Sequence, residues 1–304
     1  MDNPPTPFPS DAAGGLAREG TTPPRAAPDP DDPPWGLWGA TGLLILSFAF
    51  MIVMSLGFVV PYALRQGVSP GALPEFAVKD TGAVFLQIVS IIPAHLLTLG
   101  LAWLLVTRAG KYPFLRTLGW EWGGRFTPWR SVGLAVLLYA AGWVLIQLSV
   151  KLLGPTDNAL DRIIRSSRAT ALAAACAATF TAPLVEEIVF RGLLYSALRR
   201  LVGVGWAVAA VLLLFALIHV PQYWPSFGVI ATILLLSAVL TLVRARTRSL
   251  LPCFFIHLVF NSVQAVLIVL EPYLKGLIPE EAPPPPPVPG LLAELFARIF
   301  GAAW

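Results

Sequence analysis

Charge is what this sequence lacks most: Asp, Glu, Lys and Arg make up 12% of its 304 residues, while 56% are apolar and mean hydropathy is +0.73. A chain so poor in charge cannot cover a water-soluble surface, which sets aside soluble enzymes and nucleic-acid binders. The formal charge of +4 does not restore a nucleic-acid partner, because excess Lys and Arg in loops is the ordinary mark of membrane orientation. Cysteine is nearly absent too. Cys176 and Cys253 both sit inside apolar runs, which excludes a disulfide framework and leaves two small buried hydrophobes. No internal repeat is visible, so a repeat-built transporter gains no support.

What is present is a series of runs free of all four charged residue types: 33–64, 81–107, 131–150, 169–185, 201–243 and 249–270. Each is near or above the ~17–25 residues that cross a hydrocarbon core as helix. The run 201–243 is too long for one span, and Pro221, Pro225 and Gly228 divide it into helices at about 203–220 and 227–243. The expected fold is an all-α, polytopic transmembrane bundle of about seven spans: 37–64, 83–107, 131–150, 170–198, 203–220, 227–243 and 250–270. Ile163 and Ile164 beside Asp161, Arg162 and Arg165 predict a short surface helix between the third and fourth spans.

The flanks differ from this core. Residues 1–34 hold ten prolines and six acids against two arginines and predict a disordered, Pro-rich acidic arm. Trp35 and Trp38 suit a headgroup-level belt at the start of the first span. Residues 272–304 predict a Pro-rich linker, with Pro283 to Pro287 as its stiff part, and then an amphipathic helix over 290–303 lying on the membrane. Its apolar face carries Leu291, Leu292, Leu295, Phe296, Ile299 and Phe300. Between the flanks, 35–168 are N-terminal helices and interfacial segments, and 169–271 form the core that carries the chemistry. With seven spans, the N-terminal side holds 12 Lys and Arg against 8 opposite, Arg191 excluded. That bias favours a cytoplasmic N-terminus in the plasma (cytoplasmic) membrane.

Within 163–270 the only acids are Glu186 and Glu187, adjacent and in mid-helix. A carboxylate at that depth costs several kcal/mol unless it is paired, protonated or facing a wet cavity. Arg191 lies one turn after Glu187 and can pair with it, whereas Glu186 points about 100° away. Of the three histidines, His219 and His257 share this half of the chain. Asn261 follows His257 by one turn, and Phe215 precedes His219 by one turn. His95, alone on the second span, reads as a helix-to-helix hydrogen bond. Two carboxylates, two imidazoles and an amide from three helices are the minimum kit for activating water, moving a proton and stabilising an oxyanion. A buried packing network of the same groups, or a proton relay, are the bland alternatives.

The ordered pattern Glu186-Glu187-x-x-x-Arg191, Phe215-x-x-x-His219 and His257-x-x-x-Asn261 resembles the three motifs of the CPBP family of membrane proteins, over about residues 170–265. That family groups CAAX prenyl endoproteases, bacteriocin-processing and immunity proteins, and Abi proteins. The resemblance implies an intramembrane glutamic endopeptidase without a cofactor. Glu186 with His219 would activate a water, and His257 with Asn261 would stabilise the oxyanion, with Glu187, Arg191 and Phe215 in support. The implied partners are membrane lipid and a peptide or protein substrate, lipidated or not. A zinc peptidase built on Glu186, His219 and His257 stays open, though no His-Glu-x-x-His occurs. A non-catalytic immunity or scaffold role also stays open, the same residues then forming a polar knot.

Overall fold

The computed structural model describes residues 28–124 and 126–275, and its regular structure is helical. Backbone groups in lipid find no water to bond, so each apolar run closes its hydrogen bonds on itself as helix. The long elements are α1 (Leu37–Arg65), α3 (Thr81–Thr107), α5 (Pro128–Leu153), α10 (Phe227–Thr247) and α11 (Leu251–Lys275). Short helices α2 (Leu73–Lys79), α4 (Phe114–Thr117) and α6 (Ala159–Ser166) lie in the connections. The predicted surface helix is α6, started by a capping box in which Asn158 and Asp161 satisfy each other's backbone N–H groups.

The fourth and fifth spans form one nearly continuous helical run, Arg168–Tyr223, of 56 residues. At about 1.5 Å per residue such a run would be on the order of 80 Å long, against a hydrocarbon core of ~30 Å. Gly203 breaks it, at φ 78° and ψ 174°, a conformation essentially confined to glycine. Among the described residues six helices are long and apolar enough to cross a membrane, and the break at Gly203 divides the longest of them in two. The fifth span does not stop before Pro221 as expected: helix α9 (Tyr195–Tyr223) runs through it. Proline inside a membrane helix is tolerated where neighbouring helices compensate the lost bond. Helix α11 likewise extends past the expected end at 270.

The bundle has two apolar clusters. One joins α1, α3 and α9 around Ala40, Val106, Ala207 and Phe215; the other joins α5, α10 and α11 around Leu138, Leu240 and Ile256. Helices α5 and α10 approach backbone to backbone. A Cβ on Gly228 would stand 2.7 Å from Ile146 Cα, and one on Gly142 would meet Thr232 Cγ2 at 2.5 Å. Small residues permit such contact without any hydrophobic drive in lipid. Ile45, Ile52, Leu137, Trp143 and Leu217 point outward, as lipid-facing side chains should.

Three expectations need correction. Trp35 is no belt residue: it is buried, and its indole N–H donates to the Leu193 carbonyl at 3.1 Å, while Trp38 is exposed. Cys176 is exposed on the outside of the bundle; Cys253 alone is buried. Of the acidic arm, residues 28–34 are docked rather than loose, through ion pairs of Asp29, Asp31 and Asp32 with arginines of α9 and of the α10–α11 corner. Residues 1–27 of the arm, the Pro283–Pro287 linker and the amphipathic helix expected over 290–303 lie outside the described residues.

Candidate active site at the seam of the two clusters

The site grows from an irregular helix. After α7 (Arg168–Cys176) the chain makes a π-helical turn, Ala177–Thr181, returns to α-helix in α8 (Ala182–Glu186) and widens again over Glu187–Leu194. The Ala182 N–H reaches back five residues to the Ala177 carbonyl. Pro183 follows at once, and its ring would clash with the Thr179 carbonyl in a regular α-helix, which accounts for the first wide turn. The second places Glu187 and Arg191 wholly inside the bundle.

Glu187 accepts from Arg191 Nη1 at 3.0 Å and faces His257 Nδ1 at 2.8 Å, both through Oε1. Its other oxygen, Oε2, is buried without a hydrogen-bond partner. Arg191 is held on every side. Nη2 donates to the Ser237 hydroxyl at 2.9 Å and carbonyl at 3.3 Å, Nε donates to the Thr241 hydroxyl at 3.3 Å, and the guanidinium lies 4.3 Å above the Phe215 ring. With all these partners the guanidinium is satisfied inside the bundle, Glu187 among them. The Glu187 carboxyl oxygen accepts a hydrogen bond from Nδ1–H of His257.

Glu186 faces the other way, into a cavity of about 340 Å³ that His219, His257, Asn261, Tyr139 and Tyr223 also line. Its two oxygens stand 4.0 Å from His219 Nε2 and 3.7 Å from His257 Nε2. These separations exceed a direct hydrogen bond and suit a bridging water. His219 Nδ1 lies 2.6 Å from the Phe215 carbonyl, which can only accept. That contact assigns the proton to Nδ1, so the free Nε2 turns inward. Both imidazoles therefore present Nε2 to the same carboxylate, with Nδ1 fixed behind. The extension of α9 past Pro221 is what holds His219 at this height, a turn inside the helix end rather than on it.

The structure thus brings Glu186, His219, His257, Asn261 and Phe215 to one cavity and places Glu187 and Arg191 directly behind it. Asn261 is partly engaged, since its Nδ2 donates to the Ala178 carbonyl of the first wide turn at 2.7 Å. Phe215 walls the site, its ring centroid 4.6 Å from that of His219 and 6.1 Å from that of His257. His95 also lines the cavity, but its Nδ1 bonds the Thr181 hydroxyl at 2.9 Å, the helix-to-helix contact expected of it. Sequence reasoning missed the Glu187–His257 contact and the Ser237 and Thr241 partners of Arg191. The spacing Ser237-x-x-x-Thr241 on an apolar helix was a signal for the latter; nothing local announced the former.

Comparison with known proteins finds a family likeness over the same part of the chain. Residues 168–263 match the model of a family described as Type II CAAX prenyl endopeptidase Rce1-like, and the match contains all seven of these residues. No curated protein and no solved structure matches the chain. Over residues 168–263, less than half of its length, the chain is similar to this family of membrane endopeptidases.

Proposed function

We propose that this protein is an intramembrane glutamic endopeptidase that cleaves a membrane-associated peptide, with Glu186 as general base. The observation that carries the reading is the pair of inward-turned Nε2 atoms, 4.0 and 3.7 Å from the Glu186 oxygens, in one cavity. A water held between Glu186 and His219 gives its proton to Glu186 as its oxygen bonds to the scissile carbonyl carbon. His257, between two carboxylates, is placed to carry both ring protons and to donate from Nε2 to the tetrahedral oxyanion, joined by the second amide hydrogen of Asn261. The proton on Glu186 passes to the departing amine nitrogen as the C–N bond breaks. Glu187 orients the His257 ring from behind, as a carboxylate does for a catalytic imidazole.

The family description points to the C-terminal peptide of a prenylated protein as substrate class. A second reading, a zinc peptidase, draws on the same observation, because metal-binding imidazoles also hold their outer nitrogen on a carboxylate or carbonyl. Against it, the sequence has no His-Glu-x-x-His, and Glu186, His219 and His257 come from separate helices with no close-spaced ligand pair. The test is hydrolysis of a farnesylated C-terminal peptide, and of the same peptide without its lipid, by protein in lipid nanodiscs with and without a strong zinc chelator. Cleavage of the farnesylated peptide that persists in chelator is the expected result. Loss in chelator with recovery on added zinc would establish the metal reading instead, and equal rates on both peptides would remove the lipid from the recognised substrate.

For orientation, we propose that the end bearing the arm and the arginines of the α3–α5, α9 and α10–α11 connections is cytoplasmic. A reporter fused after Arg246 is then expected to score as cytoplasmic. Activity of an external-side reporter at that fusion point would invert the assignment.

A further inference from the structure

The described end of the acidic arm does more than lie on the surface. Asp31, whose side chain is 7% exposed, pairs with Arg199, Arg244 and Arg248; Asp29 pairs with Arg248 at 2.6 Å and Asp32 with Arg200 at 3.5 Å. The backbone joins in, with the Pro33 and Trp35 carbonyls accepting from Arg200 at 3.1 and 3.2 Å. Among these cations Arg244 is distinct: its side chain is 0% exposed and it projects inward from α10. Its Nη2 donates to the Pro30 carbonyl and to the Ser196 hydroxyl, each at 3.2 Å, while Nη1 stands 3.5 Å from Asp31. Its Nε donates at 3.2 Å to the backbone carbonyl of Arg191.

That last bond joins the arm to the site. Arg191 sits in the second wide turn, where regular i→i+4 bonding is lost and a carbonyl takes its direction from whatever donor it finds. Its side chain holds Glu187, and Glu187 holds His257. We propose that Arg244 is a positioning residue through which the docked Asp29–Asp31 segment fixes the Arg191–Glu187–His257 arrangement. Arg244 does not line the cavity. Its removal therefore acts on the transition state through His257 and leaves substrate binding in place. The inference rests on the glutamate reading given above.

The test uses the full chain in nanodiscs, with kcat and KM for a cleaved peptide and a thermal unfolding measurement on each variant. Arg244→Met is expected to lower kcat by about ten- to 100-fold, the scale on which small misplacements of catalytic groups act. KM should stay within about twofold, as for an interaction that matters only in the transition state. Asp31→Asn should lower kcat less, and the double variant no further than Arg244→Met alone, since both act along one path. Arg244→Lys should recover part of the loss. Unchanged kcat in folded Arg244→Met, a loss carried by KM, or multiplying losses in the double variant would each overturn the proposal. Should Arg244→Met fail to fold, Asp31→Asn and Arg244→Lys decide: lowered kcat in both supports it and wild-type kcat in both overturns it. Glu186→Gln is measured alongside. An active Glu186→Gln protein removes the mechanism itself, whereas an inactive one beside wild-type kcat in the other variants removes only the role of Arg244.

Discussion

Glu186→Gln is expected to insert and fold like the parent chain and to lose peptidase activity by on the order of 100-fold or more, the scale of general-base removal. The substitution keeps the shape of the side chain and its hydrogen-bonding reach. Glu186 has no hydrogen bond to a buried partner that would be orphaned, because its nearest nitrogens stand at 3.7 and 4.0 Å. What disappears is the only carboxylate lining the cavity among the described residues, the group proposed to take a proton from the water it shares with His219. Membrane abundance by blot and cleavage rate, taken from the same preparations, are the measurement. Retention of most activity would move the base elsewhere.

Glu187→Gln should behave oppositely in the fold. The carboxylate is fully buried and answers a fully buried guanidinium at 3.0 Å and an imidazole at 2.8 Å. Replacing it leaves Arg191 charged without its counterion, a loss of roughly 3–5 kcal/mol. Low abundance and a lowered unfolding temperature are the expected results, together with lost activity in whatever protein folds, since His257 is no longer aimed. A stable but inactive Glu187→Gln beside an active Glu186→Gln would exchange the two roles. Activity in both would leave the cluster as a polar knot between helices with no hydrolytic part.

How far the sequence alone reaches can be followed residue by residue. The spans are legible because lipid admits few backbone solutions, so a run such as 81–107 has only helix open to it. The grouping of Glu186, His219 and His257 is legible for a related reason, as each alone would be an expensive polar group in hydrocarbon. What stayed hidden depends on pairs far apart in the chain. Asp31 and Arg244 are 213 residues apart, and Glu187 and His257 are 70 apart. Nothing local marks Asp31 as different from Asp2 or Asp11 of the same arm. Trp35 has the character of a belt residue yet is buried among core side chains, with its indole N–H on the Leu193 carbonyl. Pro221 reads as a stop, yet the helix passes through it because the bundle around α9 makes up for the missing bond.

The two wide turns before and after Glu186 also alter how faces should be counted along this helix. A wheel drawn at 100° per residue assumes one pitch, and each wide turn inserts about one extra residue, or about 100° of rotation. By Arg199 the angular phase carried from Arg168 is off by roughly 200°, so side chains assigned to one flank from the start of the helix lie on the opposite flank by its end. Substitution scans across 168–201 should therefore show a tolerance rhythm that slips twice. The face bearing Glu187 and Arg191 has to be phased from the site outward, not from the first residues of the span.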